Sequence, residues 1–431
     1  MKGKILIPIF LLSLYLISCN STEPDNRRKL TLTIDDVSCT EVWLKLSTEG
    51  LPSASVINLN KDGNLITKIS LGGNKDTVIY IDSLLPNKSY TFQAICESSV
   101  FYSASEMMTV ITMNTTSHDF RWQNWEFGEE GAGSSTLYDI AIIDENNIWA
   151  VGEIYMKDSL GNPDPTFYNL VKWDGINWKL EKVFYYYKGN PIIAHFKSLF
   201  AFNDKDIILG GFMNWNGSAF ISIPINISFP SDANKIWGIS GKDFYIVGSY
   251  GNIAHYQYGT WQKIESGTNL NLYDIWGSYY NQSSEAEIIS IGSYIGTNSG
   301  SIILNILQNS TTEISTKGIV GNSTDIWFKP KQAYYIASSR LYYKHNLSDE
   351  LWTYKNITSY SITSIYGNDI NDVFVAASYG DIIHFNGINW HSYFSQTQLS
   401  QGVYGIIKEK NNIVVAAGIN RNKAVITIGK R

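Results

Sequence analysis

Several groups of side chains in this sequence have types and spacings that chemistry could use. Trp237, Trp276, Trp327 and Tyr366 stand at the same place in four recurring segments. Such a set could form a ring of faces that stacks sugars, although large apolar side chains ordinarily serve the core and packing between repeats is the stronger reading. Acidic clusters at Asp144-Glu145, Asp204 to Asp206 and Asp369 to Asp372 could suggest calcium. They fall between the first two strands of their repeats, where Asp and Asn form turns, and the carboxylate spacing of a calcium loop is absent. His195, His255, His345, His384 and His391, with neighbouring His118, include no His-x-His or Glu-x-x-His pair, so no zinc site is expected. His255 and His384 hold matching repeat positions, which favours a structural role. Arg121, Arg340 and Arg421 could clamp a carboxylate, but their surroundings share no motif. Phosphate loops, Gly-x-Ser-x-Gly and Ser/His/Asp order signatures do not appear. No metal and no cofactor is expected, and catalysis is the less favoured reading. An active site should break the repeat pattern, so the irregular stretches Tyr155 to Phe167, Met213 to Ser218 and Tyr279 to Ser301 are the places to look. They carry Asp158, Asp164, Glu285 and Glu287, without an adjacent His or Arg.

The elements that position these residues are repeats. Leu137-Tyr138-Asp139-Ile140 leads through Asp144 to Asn147 into Ile148-Trp149-Ala150-Val151-Gly152. The same course begins at Lys235-Ile236-Trp237-Gly238, Tyr273-Asp274-Ile275-Trp276-Gly277, Thr324-Asp325-Ile326-Trp327, Thr363-Ser364-Ile365-Tyr366-Gly367 and Val403-Tyr404-Gly405, with a degenerate copy near Ser198-Leu199-Phe200. Ile236, Ile275, Ile365 and Tyr404 fit a period of about 39 residues, with one insertion before Ile326. The second half of each unit is visible where Trp173-Asp174-Gly175-Ile176-Asn177-Trp178 matches Phe385-Asn386-Gly387-Ile388-Asn389-Trp390. Asp-Gly and Asn-Gly there suggest type I′ hairpins. Four strands per repeat around a ring make a β-propeller, spanning 119–431. Seven blades are counted, six or eight remaining open. The last unit stops after Lys423 to Ile428 without an outer strand, and Phe120 to Phe127 supplies one from the other end, closing the ring.

These repeats resemble the Asp-Ile-Trp-Gly … Trp-Asp-Gly-x-x-Trp arrays of exported bacterial propeller proteins. They are more distantly similar to sialidase Asp-box and photosystem-assembly propellers. The Asp-box, Ser-x-Asp-x-Gly-x-x-Trp, is not matched: the acid or amide directly precedes Gly, as in Asp174-Gly175, which argues against a sialidase.

Residues 29–113 read as a second all-β domain. Val42, Leu44 and Leu46 alternate, Lys61-Asp62-Gly63-Asn64 is a hairpin signal, and Phe92, Ala94 and Cys96 alternate again. About seven short strands in this length suggest an Ig-like sandwich. Leu84-x-Pro86-x-x-x-Tyr90 resembles the fibronectin type III tyrosine corner, which implies a spacer or binding platform. Trp43 falls on the opposite face from the position of that family's buried Trp, which Leu46 occupies. Cys39 and Cys96 should lie at opposite ends of the sandwich as buried, reduced packing residues.

At the N-terminus Lys2 and Lys4 precede an apolar run from Ile5 to Ile17, broken by Pro8. That run is shorter than the ~20 apolar residues of a spanning helix and has the parts of a secretory signal, residues 1–18. Leu16-Ile17-Ser18-Cys19 resembles the lipobox of bacterial lipoproteins. This implies acylation of Cys19, a polar tether over 19–28, and a membrane partner reached through lipid, at the envelope of a Gram-negative cell. The formal net charge is −6, and becomes 31 − 39 = −8 once Lys2 and Lys4 leave with the signal. No basic run longer than Arg27-Arg28-Lys29 exists, so a nucleic-acid partner is not expected. Few charges, 17%, and many aromatics, 14%, agree with sheets. The first functional expectation is a non-catalytic envelope module that binds or scaffolds protein or glycan. The alternative is a carbohydrate-active hydrolase or lyase working in the propeller funnel, which as a glycosidase would need two carboxyls about 5–9.5 Å apart.

Overall fold

The computed structural model describes residues 28–98, 101–227, 229, 233–280, 283, 285–294, 300–399 and 401–431. The signal segment and Cys19 lie outside the described residues. Contacts divide the chain into two units, Met1–Met113 and Asn114–Arg431.

The first unit is a two-sheet sandwich. Lys29–Val37, Val42–Leu51 and Gly73–Ile81 form one sheet; Asn64–Ser70, Val56–Lys61, Ser89–Glu97, Tyr102–Ala104 and Met108–Ile111 form the other. The alternation read from sequence faces inward: Val42, Leu44, Leu46, Phe92, Ala94 and Cys96 share one core. Lys61 pairs with Asn64 across Asp62 and Gly63, whose φ values of 51° and 79° make the left-handed two-residue turn that such a hairpin needs. Trp43 is buried on the outer face against Tyr80, 5.5 Å between ring centroids. Met113 N donates to Ser38 O and Asn87 N donates to Met113 O. The Cys39 turn therefore lies beside the start of Ser89–Glu97, whereas Cys96 lies near that strand's end; both thiols are buried.

The second unit is a seven-bladed propeller. Each of its seven four-stranded sheets among the described residues runs from an inner to an outer strand. The blades begin at Thr136–Asp144, Leu199–Asn203, Ala233–Ser240, Asn271–Tyr279, Asp325–Lys329, Ile362–Asp369 and Gly402–Lys410. Period-2 alternation feeds two interfaces at once. In Asn147–Ile154, Ile148 and Ala150 pack on Ile413, Val415 and Ala417 of the last blade, while Trp149 and Val151 pack on Leu199, Ile207 and Leu209 of the second. The seventh blade takes its outer strand, Arg121–Phe127, from the start of this unit: it pairs antiparallel with Lys423–Lys430 from Lys430↔Arg121 to Ala424↔Phe127.

Two local expectations are corrected. Asp174-Gly175 and Asn386-Gly387 do not form type I′ turns, which need two residues of positive φ. Only the glycines adopt it, and the loop is four residues long, closed by the side chain: Asp174 Oδ1 accepts from Ile176 N and Asn177 N, and Asn386 Oδ1 from Ile388 N and Asn389 N. Tyr258-Gly259, with φ of 46° and 92°, is the two-residue form. Met213 to Ser218 is no insert, since it holds the third strand of the second blade, Met213–Trp215.

Candidate binding site

The first strands meet at the axis. The residue before the buried Ile or Leu of each first strand is, in blade order, Asp139, Ser198, Lys235, Asp274, Asp325, Ser364 and Ile406. Its side chain links neighbouring blades. Asp139 Oδ2 accepts from Leu199 N at 3.1 Å, Asp274 Oδ2 from Ile326 N at 3.0 Å, Asp325 Oδ2 from Ile365 N at 3.0 Å, and Ser364 Oγ from Ile407 N at 3.1 Å. Ile407 therefore fills the place of Ile365, so the seventh repeat is three residues out of the register that matched Tyr404 to it. A bulge between Tyr404 and Ile406 accompanies the shift.

Lys235 Nζ lies 3.2 Å from Asp139 and 3.9 Å from Asp274, and Lys408 Nζ lies 3.3 Å from Asp139. Burial alone would raise Asp139, but the two ammoniums and two backbone N–H groups outweigh it and hold this carboxyl below its ordinary range. Burial would lower Lys235, and the fields of Asp139, Asp274 and Asp325 reverse that; for Lys408 burial wins and the shift is downward. Burial and the neighbouring Asp274 push Asp325 well above the carboxylate range. Three carboxyls and two amino groups thus share the hub, and the upward shift of Asp325 is the response of a carboxyl buried beside a second one. About 20 Å³ of space remains here, room for a single water.

A proton held by Asp325 in the fold is released on unfolding above about pH 3.9. Its contribution thus makes the protein less stable as pH rises from there toward the raised folded value. Asp325→Asn keeps the acceptor and removes the titration. We expect its melting temperature to fall less between pH 5 and pH 8 than the parent's, measured by calorimetry; equal slopes would show an ionised Asp325.

The four aromatic positions divide by what the next blade offers. Trp237 lies over Gly277, where a Cβ would be 2.3 Å from the indole, and Trp327 over Gly367, at 2.5 Å. Where Gly is replaced by Phe328 or Glu409, the ring cannot lie across. Trp276 and Tyr366 line the axial space instead, their rings edge to face at 5.4 Å. Burial, then the charge of Glu409, pushes the Tyr366 phenol up to about 12.

A cleft of about 820 Å³ opens between the third and fourth blades, on the rim made by the first-to-second and third-to-fourth strand connections. Trp237, Tyr245 and His255 wall it on one side and Tyr279, Ile288 and Ile306 on the other. Tyr245 stacks on His255 at 3.9 Å and 2°. His255 Nε2 donates to Asp243 Oδ1 at 2.7 Å and Gln257 Nε2 to Asp243 Oδ2 at 3.1 Å, while Gln262 Nε2 donates to Asn309 Oδ1 at 2.8 Å. Burial and the Asp243 charge push Tyr245 up to about 12. Aromatic faces and amides can hold a polar ligand; both oxygens of Asp243 are already engaged.

No family model and no curated protein matches the chain. Solved structures do. A structure described as YCF48 bound to D1 peptide covers 74% of this chain and 100% of its own, with a TM-score of 0.53 and 13% identity. YCF48 from Cyanidioschyzon merolae covers 72% of this chain and 98% of its own, at 0.48 and 15%. A catalytically inactive virginiamycin B lyase from Staphylococcus aureus, with quinupristin, covers 72% and 99%, at 0.47 and 15%. The first of these likenesses shows the propeller fold.

The sixth blade repeats the His–Asp motif of the cleft where nothing can reach it. His384 Nε2 donates to Asp372 Oδ1 at 2.8 Å and stacks on Phe374 at 4.3 Å and 6°. Arg431, which the sequence reading passed over, forks onto Asp372 at 2.6 and 3.2 Å. His118 meets His384 at 2.8 Å. Burial pushes nearby Glu409 up to about 7. Among the described residues no group of three or more His, Cys, Asp or Glu is placed to hold a metal ion. The acidic turns are engaged by protein groups: Asp144 Oδ1 accepts from Asn146 N, Asp206 Oδ2 from Gly241 N of the next blade, and Asp369 Oδ1 from Ile370 N and Lys329 Nζ. Asp158 closes its own loop and Asp164 holds Lys182 at 2.7 Å.

Sequence reasoning missed two groupings. The axial residues were visible as the Asp of Asp-Ile-Trp, but nothing in the spacing says that seven such slots converge. Glu153 and Tyr155, at the end of the first blade's second strand, and His195, on the loop into the second blade, meet on the opposite rim. Tyr155 opens the irregular stretch already singled out.

Proposed function

We propose that this protein is a lipid-anchored envelope module whose propeller binds a protein partner without turning it over, with the cleft between the third and fourth blades as the contact surface. One observation carries the non-catalytic part. The His–Asp pair that the described residues place in the cleft, His255–Asp243, recurs as the buried His384–Asp372 pair, so it is a strand-to-strand brace of the blade. The bound peptide named for the YCF48 structure supports a protein ligand as a suggestion by likeness of fold. In this reading Trp237 is a cleft wall, while Trp276, Trp327 and Tyr366 serve packing. The sandwich is a fibronectin type III-like spacer, in keeping with the bond from Leu85 N to Tyr90 Oη at 2.9 Å.

The test places a photo-cross-linker at Ile239, exposed in the cleft, or at Ile176, exposed on another blade of the same rim. One protein should be captured at Ile239 alone, and Tyr279→Ser should reduce the yield severalfold. A polysaccharide panel run beside it should show no turnover. Turnover abolished by replacing a cleft carboxylate would establish the hydrolase or lyase instead. Anchoring is checked separately: Cys19→Ala should leave the protein outside the outer-membrane fraction and without lipid by mass spectrometry, whereas unchanged fractionation would refute the anchor.

A further inference from the structure

The rim opposite that cleft carries a second surface. Glu153 ends the second strand of the first blade with its carboxylate mostly covered, 22% exposed. Tyr155 Oη donates to Oε2 at 2.9 Å, and His195 Nδ1 lies 3.0 Å from Oε1. No Lys or Arg among the described residues forms an ion pair with it; the imidazole beside it, His195, is half exposed on the loop into the second blade. Aromatic rings surround the group: Tyr155 against Phe167 at 5.6 Å, Phe167 against His195 at 4.7 Å. Tyr138 from the first strand joins them. Its phenol, like that of Tyr155, is raised by burial and then by the Glu153 charge.

Immediately before His195 stands a hairpin that belongs to no blade, Phe184–Tyr187 paired with Asn190–Ile193. A lone two-stranded hairpin is marginal in water, and this one is pinned at its base. Buried Asn169 donates to the carbonyls of Val183 and Ala194, each at 2.8 Å, and accepts from Val183 N at 2.7 Å. Tyr185 packs edge to face on Phe212. The opposite face sets Phe184, Tyr186, Pro191 and Ile193 side by side in register; Phe184, Tyr186 and Pro191 are exposed, Tyr186 by 73%, and Ile193 is half-buried.

We infer that this rim docks an arginine side chain of a protein partner, its guanidinium on Glu153 and the flanking apolar residues on the hairpin face. Charge complementarity selects the occupant. The Glu153 carboxylate spends one lone pair on each of Tyr155 and His195, keeps others free and has no Lys or Arg paired with it; a planar guanidinium both forks onto carboxylate and stacks on aromatic faces, which an ammonium does less well. The inference stands on a different rim from the cleft and does not depend on it.

The test uses the full chain in detergent and a blocked, fluorescein-labelled pentapeptide with arginine between two phenylalanines, beside its citrulline counterpart of the same shape and no charge. A charge-assisted pair predicts preference for arginine by about ten- to a hundredfold in Kd. Glu153→Gln should abolish the preference without changing the melting temperature. Tyr186→Ser should weaken both peptides and leave their ratio intact. Equal binding of the two peptides, or a preference that survives Glu153→Gln, overturns the proposal. A chitosan hexamer that binds more tightly than the arginine peptide overturns it in favour of a cationic glycan.

Discussion

Deletion of residues 120–127 is expected to yield a chain that aggregates instead of refolding. Arg121–Phe127 pairs along its whole length with Lys423–Lys430, so its loss bares the outer edge of the seventh blade. It also removes Trp125 from Trp173 and Trp178, at 5.5 and 5.9 Å, Phe127 from Trp178, at 5.7 Å, and Trp122 from Tyr393, at 4.9 Å. At about 1.5–3 kcal/mol per large apolar side chain, these rings alone approach the ~5–15 kcal/mol by which a folded protein is stable. An unpaired strand edge adds a template for association. Size-exclusion chromatography after refolding is the measurement. A deletion variant that elutes as a monomer and melts like the parent would refute closure by this strand.

Lys235→Met should be the most damaging single substitution at the axis. The ammonium is held by Asp139 and Asp274, which bond in turn to the first strands of the second and fifth blades. Removing one partner of a buried ion cluster costs about 3–5 kcal/mol, because a carboxylate is left without its counter-charge. For a domain of this size that is a fall of roughly 5–15 °C in melting temperature. The sign with pH follows from Asp139, whose folded pKa is depressed. The stability it contributes is present above its unfolded value of about 3.9 and is lost as pH falls through the folded one. The gap between variant and parent should therefore be widest near neutrality and shrink in acid. A gap that is constant with pH would mean that Lys235 acts through packing of its stem alone.

The Glu153 surface and the axial hub show where sequence reading stops. Asp158, Asp164, Glu285 and Glu287 were weighed by whether a His or Arg stood next to them in the chain. The partner that matters is forty-two positions away, since His195 reaches Glu153 across a blade boundary. Arg431, the last residue, meets Asp372 because ring closure brings the end of the chain beside the sixth blade. The cleft owes its opening to neighbouring first strands and their connections, whose separation no spacing encodes.

Sequence alone determined the all-β class, the blade repeat and the strand that closes the ring. Each is written in local patterns: apolar alternation at period 2, turn residues between strands, and an outer strand missing at one end and spare at the other. Only the tertiary structure decided which rings lie flat and which turn to the axis, since that depends on whether the adjoining blade presents Gly277 and Gly367 or Phe328 and Glu409. It alone decided that three Asp and two Lys share one buried hub. Coulomb energy and burial depend on distances through space, and a closed ring makes neighbours of residues that the chain keeps far apart.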